Sequence, residues 1–150
     1  MTRREKALEF ATKAHAGQKR KDGKDYITHP IAVAEIAERI AKENGLVDQD
    51  FLDDTYIIAL FHDLIEDTDL DYEDIKSEWG TYIAYAVLSL SRKIDETYFD
   101  FIMRLIQESG FNIIPRIVKL ADLEHNMSDL SEGSLKDKYR FAHYILSRSL

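Results

Sequence analysis

Apolar residues recur every three or four positions along most of the chain, which is the period of helices with one buried face. The first such stretch follows Thr2, an expected N-cap, and ends before Gly17. The second has Pro30 in its first turn and ends before Gly45. The period predicts eight helices, at residues 2–16, 28–44, 50–67 (or 53–67), 71–77, 79–90, 96–107, 112–130 and 135–150.

The composition agrees with a helical chain. Only 6 glycines and 2 prolines occur among 150 residues, and the 45% of apolar residues is enough for one core. The sequence contains neither a convincing strand pattern nor a linker. We therefore expect a single all-α domain over residues 1–150, an orthogonal helical bundle of about eight helices.

Charge and cysteine content restrict the function. The chain has a net charge of -8 and no cysteine, so thiolate metal sites, cysteine nucleophiles and disulfides are excluded. The acidic balance disfavours binding to nucleic acid polymers or to anionic membranes. No window approaches the roughly 18 apolar residues of a membrane helix. We expect a cytoplasmic protein without such partners, and a homo-oligomer stays open.

Titratable side chains interrupt the third predicted helix within apolar sequence. His62, Asp63, Glu66 and Asp67 follow the run TYIIALF, and their spacings of three and four residues would place them on one side of a helix. The simple interpretation is a solvated acidic face at a helix end. Neighbouring carboxylates in a core, however, need a cation or protons to offset their repulsion and desolvation.

A second apolar helix carries polar residues in the same manner. Asp122 and Asn126 stand one turn apart in the segment VKLADLEHNM. Two such helices facing each other would build a polar pocket. Imidazole and carboxylate ligands without thiolate suit Mn²⁺, Fe²⁺, Zn²⁺ or Mg²⁺. The two segments together therefore indicate a divalent metal site.

Three segments resemble the HD-domain phosphohydrolases, and most closely the hydrolase domains of RelA/SpoT-type alarmone enzymes and their small stand-alone relatives. They are AHAGQKRKDGKDYITHP at 14–30, HDLIEDT at 62–68 and VKLADLEHNM at 118–127. The segments occur in the family's order, and HDxxEDT is the most specific of them. The resemblance implies an HD-type helical fold that holds one divalent metal ion, commonly Mn²⁺.

The resemblance also implies roles for individual residues. The positions that match the family's metal ligands are His29, His62, Asp63 and Asp122. Glu66 and Asp67 match the acidic pair that activates or positions the attacking water. His125 has no assigned role in the metal site. The positions expected to contact substrate, most of them cationic, are Arg20, Lys21, Lys93, Asn126, Arg140 and Tyr144.

The activity implied by the resemblance is hydrolysis of guanosine tetra- or pentaphosphate, with release of pyrophosphate from the 3′ position. The segment 88–116 departs from the typical alarmone hydrolase and is closer to compact bacterial or phage HD proteins. Two alternatives stay open: an HD nucleotidase or phosphodiesterase of other specificity, and a nucleotide sensor with little turnover. Inorganic phosphate released from a nucleoside monophosphate would contradict the pyrophosphohydrolase hypothesis.

Overall fold

The computed structural model describes residues 1–148 and 150, and within them the chain forms nine helices. They are α1 Arg3–Ala14, α2 Thr28–Glu43, α3 Gln49–Phe61, α4 Leu64–Asp67, α5 Tyr72–Trp79, α6 Thr81–Ser89, α7 Tyr98–Glu108, α8 Ile114–Ser128 and α9 Ser134–Ser147. The described residues contain no strand, only an isolated bridge between Lys19 and Asp25. None of these helices is long and apolar enough to cross a membrane. The predicted all-α fold is confirmed.

The core is organised around α3. Its last residues Ile57, Ile58, Ala59, Leu60 and Phe61 have no exposed surface, so this half of the helix is apolar on every side and must be surrounded. It packs against α1, α2, α6 and α8, and α2 also packs against α8. The end of α3 is therefore enclosed between α2 and α8.

The third predicted helix starts earlier than expected. Asp48 caps α3, because its side chain accepts a hydrogen bond from the backbone nitrogen of Phe51 at 3.0 Å. The predicted start at Asp50 or Asp53 is therefore too late. The cap gives one of the free N–H groups in the first turn a partner.

The same predicted helix also divides in two. His62 and Asp63 form a turn between α3 and α4, so the expectation that they share one helix side with the following acidic pair is wrong. Nδ1 of His62 donates to the carbonyl of Ala59 at 2.7 Å. This bond provides the Ala59 carbonyl, near the end of α3, with a side-chain partner, and it replaces part of the hydrogen bonding that a continued helix would supply. The period of the apolar residues carries no sign of such a break.

The remaining helix boundaries lie within a few residues of the predicted ones. Thr2 caps α1 and forms a capping box with Glu5, as the sequence indicates. Gly80 separates α5 from α6 with a φ of 87°, a left-handed conformation that favours glycine. The turn at Gly80 lets the two short helices pack against each other.

Candidate metal centre

Nitrogen and oxygen atoms from three elements meet in a buried cluster. His29 lies in the first turn of α2, His62 follows α3, and Asp122 lies within α8. Their exposed fractions are 1%, 4% and 6%. One ligand atom of each residue lies within 4.8 Å of the others. Three buried donors within reach of one another form a candidate metal centre.

The two imidazoles face the carboxylates through their Nε2 atoms. Nε2 of His29 lies 2.9 Å from Oδ1 of Asp122, and Nε2 of His62 lies 3.5 Å from the same oxygen. Oδ2 of Asp63 is 3.0 Å from Nε2 of His62 and 3.8 Å from Nε2 of His29. The fold thus brings together all four residues that were expected to hold the metal.

His62 provides a test of whether a cation fits here. The Ala59 carbonyl can only accept, so in the neutral ring the proton lies on Nδ1 and the lone pair on Nε2. This Nε2 is buried and has no hydrogen-bond partner, although two carboxylate oxygens are near it. A buried nitrogen that faces carboxylates without a hydrogen bond is suited to a divalent ion. The residues present therefore fit a metal.

The charges of the cluster depend on one another. Burial alone would raise the pKa of Asp122, but Lys119 and the two histidines hold that pKa well below its usual range. Burial would also raise the pKa of Asp63, but the nearby imidazole of His62 lowers that pKa by more. For His62, burial works toward a lower pKa, yet the two carboxylates raise it. The carboxylates are thus kept ionised, as a metal requires, and metal binding competes with a proton on His62.

Lys119 is a largely buried cation, 16% exposed, for which the sequence predicted no role. Its Nζ donates to Oδ2 of Asp122 at 2.8 Å and lies 5.5 Å from the centre of the Phe101 ring. It lines a cavity of about 170 Å³ together with Glu66 and with three residues of the cluster, namely His62, Asp63 and Asp122. The three-residue spacing to Asp122 is visible in the sequence. Such lysine–aspartate pairs on helices are usually exposed, however, so the spacing alone does not indicate this role.

The acidic pair of α4 lies at the edge of the cluster. Oε1 of Glu66 accepts a hydrogen bond from the backbone nitrogen of Arg92 at 2.6 Å. Partial burial, together with repulsion from Asp63, raises the pKa of both Glu66 and Asp67. The hydroxyl of Tyr26 donates to Oδ2 of Asp63 at 2.6 Å and lies 3.4 Å from Oδ2 of Asp67. The raised pKa makes Glu66 and Asp67 stronger bases than ordinary carboxylates, and both adjoin the candidate metal centre.

A larger cavity of about 600 Å³ adjoins the cluster on the side of the basic loop, which is the segment 17–26 between α1 and α2. It is lined by three of the residues that were expected to contact substrate, namely Arg20, Lys21 and Asn126. Tyr26 and Tyr139 contribute aromatic surface to the same cavity. Asn126 Nδ2 donates to Oδ1 of Asp122 at 2.9 Å, which links the cavity wall to the cluster.

The other three expected substrate residues lie outside both cavities. Arg140 is paired on the surface with Glu132 and Asp137. Tyr144 is 57% exposed on α9, and Lys93 is exposed in the loop after α6. Contacts of Lys93, Arg140 and Tyr144 with substrate stay predictions.

Comparison with known proteins identifies a family and several relatives of this chain. The family model for the HD domain matches residues 26–127. A guanosine-3′,5′-bis(diphosphate) 3′-pyrophosphohydrolase of Haemophilus influenzae is 37% identical over 140 residues, which are 87% of this chain and 19% of that protein. The bifunctional (p)ppGpp synthase/hydrolase SpoT of Escherichia coli is 36% identical over 143 residues, 87% of this chain and 18% of that protein. The chain thus spans about a fifth of the length of these curated relatives.

A solved structure supports the fold. It belongs to a metazoan ortholog of SpoT that is described as hydrolysing ppGpp, and it aligns with a TM-score of 0.72. The alignment covers 99% of this chain and 88% of the other, at 19% sequence identity. The likeness shows that the two chains share a fold.

Proposed function

This chain belongs to the HD-domain family, and we propose that it is a metal-dependent hydrolase that releases pyrophosphate from the 3′ position of guanosine tetra- or pentaphosphate. One observation carries the proposal. Tyr26 and Asn126, which line the larger cavity, hydrogen-bond directly to the carboxylates of Asp63 and Asp122. A nucleotide in that cavity therefore lies next to the metal cluster. The names of the curated relatives support this choice of substrate.

The metal we propose is Mn²⁺, held by two imidazoles and two carboxylates. This set, which contains no sulfur, suits a borderline divalent ion. The residues are His29, His62, Asp63 and Asp122. When bound, the ion supplies positive charge toward phosphoryl oxygens and acidity toward water.

The acidic pair takes the proton in the proposed reaction. The oxygen of a water molecule attacks the phosphorus next to the 3′ oxygen, and the bond from that phosphorus to the 3′ oxygen breaks. The proton given up by the water is returned to the 3′ oxygen, which leaves as a hydroxyl group. The products are pyrophosphate and a guanosine 5′-di- or triphosphate. Glu66 or Asp67 accepts the proton of the water, and the raised pKa of each group makes the transfer more favourable.

The basic loop selects the substrate in this proposal. Arg20 and Lys21 bring positive charge to the cavity of a chain whose net charge is -8. A small polyanion can enter the cavity and pair with these side chains, whereas a long polyanion also meets the acidic remainder of the surface. This arrangement favours a nucleotide that carries several phosphates.

The test is turnover across a panel of nucleotides with identified products. The purified protein, stripped of metal and reloaded with Mn²⁺, is incubated with guanosine tetraphosphate, guanosine pentaphosphate, GMP and a cyclic dinucleotide. We expect pyrophosphate from the first two substrates only, and none after removal of Mn²⁺. Phosphate from GMP, or cleavage of the cyclic dinucleotide alone, would overturn the proposal. Tight binding of guanosine tetraphosphate without any turnover would establish a sensor instead.

A further inference from the structure

The second imidazole nitrogen of His29 has a partner that the family pattern does not assign. Nδ1 of His29 lies 2.7 Å from Nδ1 of His125, and the two rings are stacked with centroids 5.0 Å apart at 29°. His125 lies on α8, one turn after Asp122, and 96 residues from His29 in sequence. No other hydrogen bond of His29 Nδ1 occurs among the described residues.

The direction of this hydrogen bond determines what His29 can offer a metal. A neutral imidazole has one protonated nitrogen and one lone pair. Nε2 of His29 is the atom that faces Asp122 and Asp63. It presents a lone pair there only when the proton lies on Nδ1, and Nδ1 then has to donate to His125. His125 therefore has to accept through its own Nδ1 and keep its proton on Nε2.

The two histidine ligands differ in how this tautomer is fixed. His62 donates its Nδ1 proton to the backbone carbonyl of Ala59, a partner that no side-chain substitution removes. For His29 the acceptor of the Nδ1 proton is a side chain, that of His125. The orientation of His29 is thus the more vulnerable of the two to mutation.

We propose that His125 is a positioning residue, which holds His29 in the tautomer and the ring orientation that bind the metal. Partners of this kind typically contribute about 10- to 100-fold in metal affinity. The inference rests on the metal-dependent function proposed above. It is independent of the identity of the substrate, because it concerns binding of the ion alone.

The test compares two substitutions of His125 by their affinity for Mn²⁺ in the absence of nucleotide. His125→Phe keeps a ring that can stack but removes the acceptor, so the Kd measured by calorimetry should rise about 10- to 100-fold. His125→Asn can place its side-chain oxygen near the position of Nδ1, and we expect its Kd to stay within about threefold of the wild type. His143→Phe, a matched change on α9 away from the metal ligands, should leave the Kd unchanged.

Two further measurements report the fold of each variant and the tautomer of His29. The melting temperature of each metal-free variant shows whether it folds, and long-range ¹H–¹⁵N spectra of imidazole nitrogens report the tautomer of His29. We expect the Nδ1-protonated form in the wild type loaded with diamagnetic Zn²⁺. Equal loss of affinity in the Phe and Asn variants would assign His125 a packing role and overturn the proposal. Wild-type affinity in His125→Phe would overturn it as well.

Discussion

Asp122 is the residue on which most of the polar cluster converges. Its Oδ1 contacts Nε2 of His29 and accepts from Nδ2 of Asn126, both at 2.9 Å, while its Oδ2 accepts from Lys119. Its neighbours thus replace the hydration that a buried carboxylate loses. The same contacts show why an alanine substitution would be hard to interpret, since it would leave a cavity and remove the acceptor of both Lys119 and Asn126.

We therefore predict the effect of Asp122→Asn, which retains the size of the side chain and one accepting oxygen but removes the negative charge beside Lys119. The variant should lose bound Mn²⁺, measured by mass spectrometry of the metal content, and should lose turnover with it. Mn²⁺ should also cease to raise its melting temperature, whereas for the wild type 100 times the Kd of free ion adds about 2.7 kcal/mol to the free energy of unfolding. Asp50→Asn, on the exposed start of α3, is the matched control. Full metal content in Asp122→Asn would remove this residue from the ligand set.

Glu66 should show a conflict between stability and activity. Partial burial and the nearby charge of Asp63 raise its pKa, so the ionised side chain weakens the folded state as the pH rises through that pKa. Glu66→Gln should raise the melting temperature of the metal-free protein at roughly pH 8, and this gain should vanish near pH 4, where the carboxyl group is protonated. Its rate of hydrolysis should fall about 100-fold.

The control for this prediction is Glu73→Gln, an equal change of charge on the exposed surface of α5. It should alter neither the melting temperature nor the rate to a comparable degree. A Glu66→Gln variant that is less stable at high pH would show that its ionised carboxylate stabilises the fold. Full activity of Glu66→Gln and of Asp67→Asn would place proton transfer elsewhere.

Arg20 tests the choice of substrate. Its planar guanidinium can bind two phosphate oxygens at once, whereas Lys21 offers a point charge, so Arg20→Ala should be the more damaging change. We expect a loss of at least about tenfold in kcat/KM for guanosine tetraphosphate, equivalent to about 1.4 kcal/mol, and a smaller loss for any side activity on monophosphates. Equal losses of kcat/KM for guanosine tetraphosphate and for monophosphates would indicate that Arg20 supports the fold or the metal centre.

At the scale of elements, the apolar period predicted the order of the helices but one helix too few, eight against the nine of the described residues. It could not predict the turn at His62 and Asp63, because the side-chain bond from His62 to Ala59 that accompanies the turn leaves no trace in the pattern of apolar positions. The four residues that motifs marked as expected metal ligands lie together in the fold. The partnership of His29 with His125 was missed, since it joins two helices through a contact 96 residues apart.

The loop between α6 and α7 is held by one largely buried side chain of α7, that of Arg104. Arg104 binds the carboxylate of Glu96 at 2.8 and 3.0 Å and donates to the carbonyls of Ser89 and Ser91. The same loop supplies the backbone nitrogen of Arg92 that binds Glu66. The shape of this loop therefore bears on the position of an acidic residue proposed to act in catalysis.

Arg104→Leu should lower the free energy of unfolding by about 3 kcal/mol, because it leaves Glu96 without its partner in a pair that is largely buried. Urea denaturation measures the loss. Arg39→Leu, which breaks the exposed pair with Glu124, is the control and should cost about 1 kcal/mol or less. Equal losses in the two variants would show that burial of the Arg104 pair has no particular importance.

At the scale of the molecule, the metal centre joins distant parts of the chain. His29 and Asp122 are 93 residues apart in sequence, and His62 lies between them. The donors can meet only when α2, α3 and α8 have come together around the core. No short segment of the chain contains the complete set.

This separation has a consequence for the kinetics of folding. If the ligands assemble after the rate-limiting step, Mn²⁺ should leave the refolding rate unchanged and slow unfolding, which stopped-flow experiments with and without the ion can measure. Faster refolding with Mn²⁺ would show instead that the donors are already together in the transition state. With slow unfolding, the lifetime of the protein against proteases that attack opened chains would follow the supply of metal.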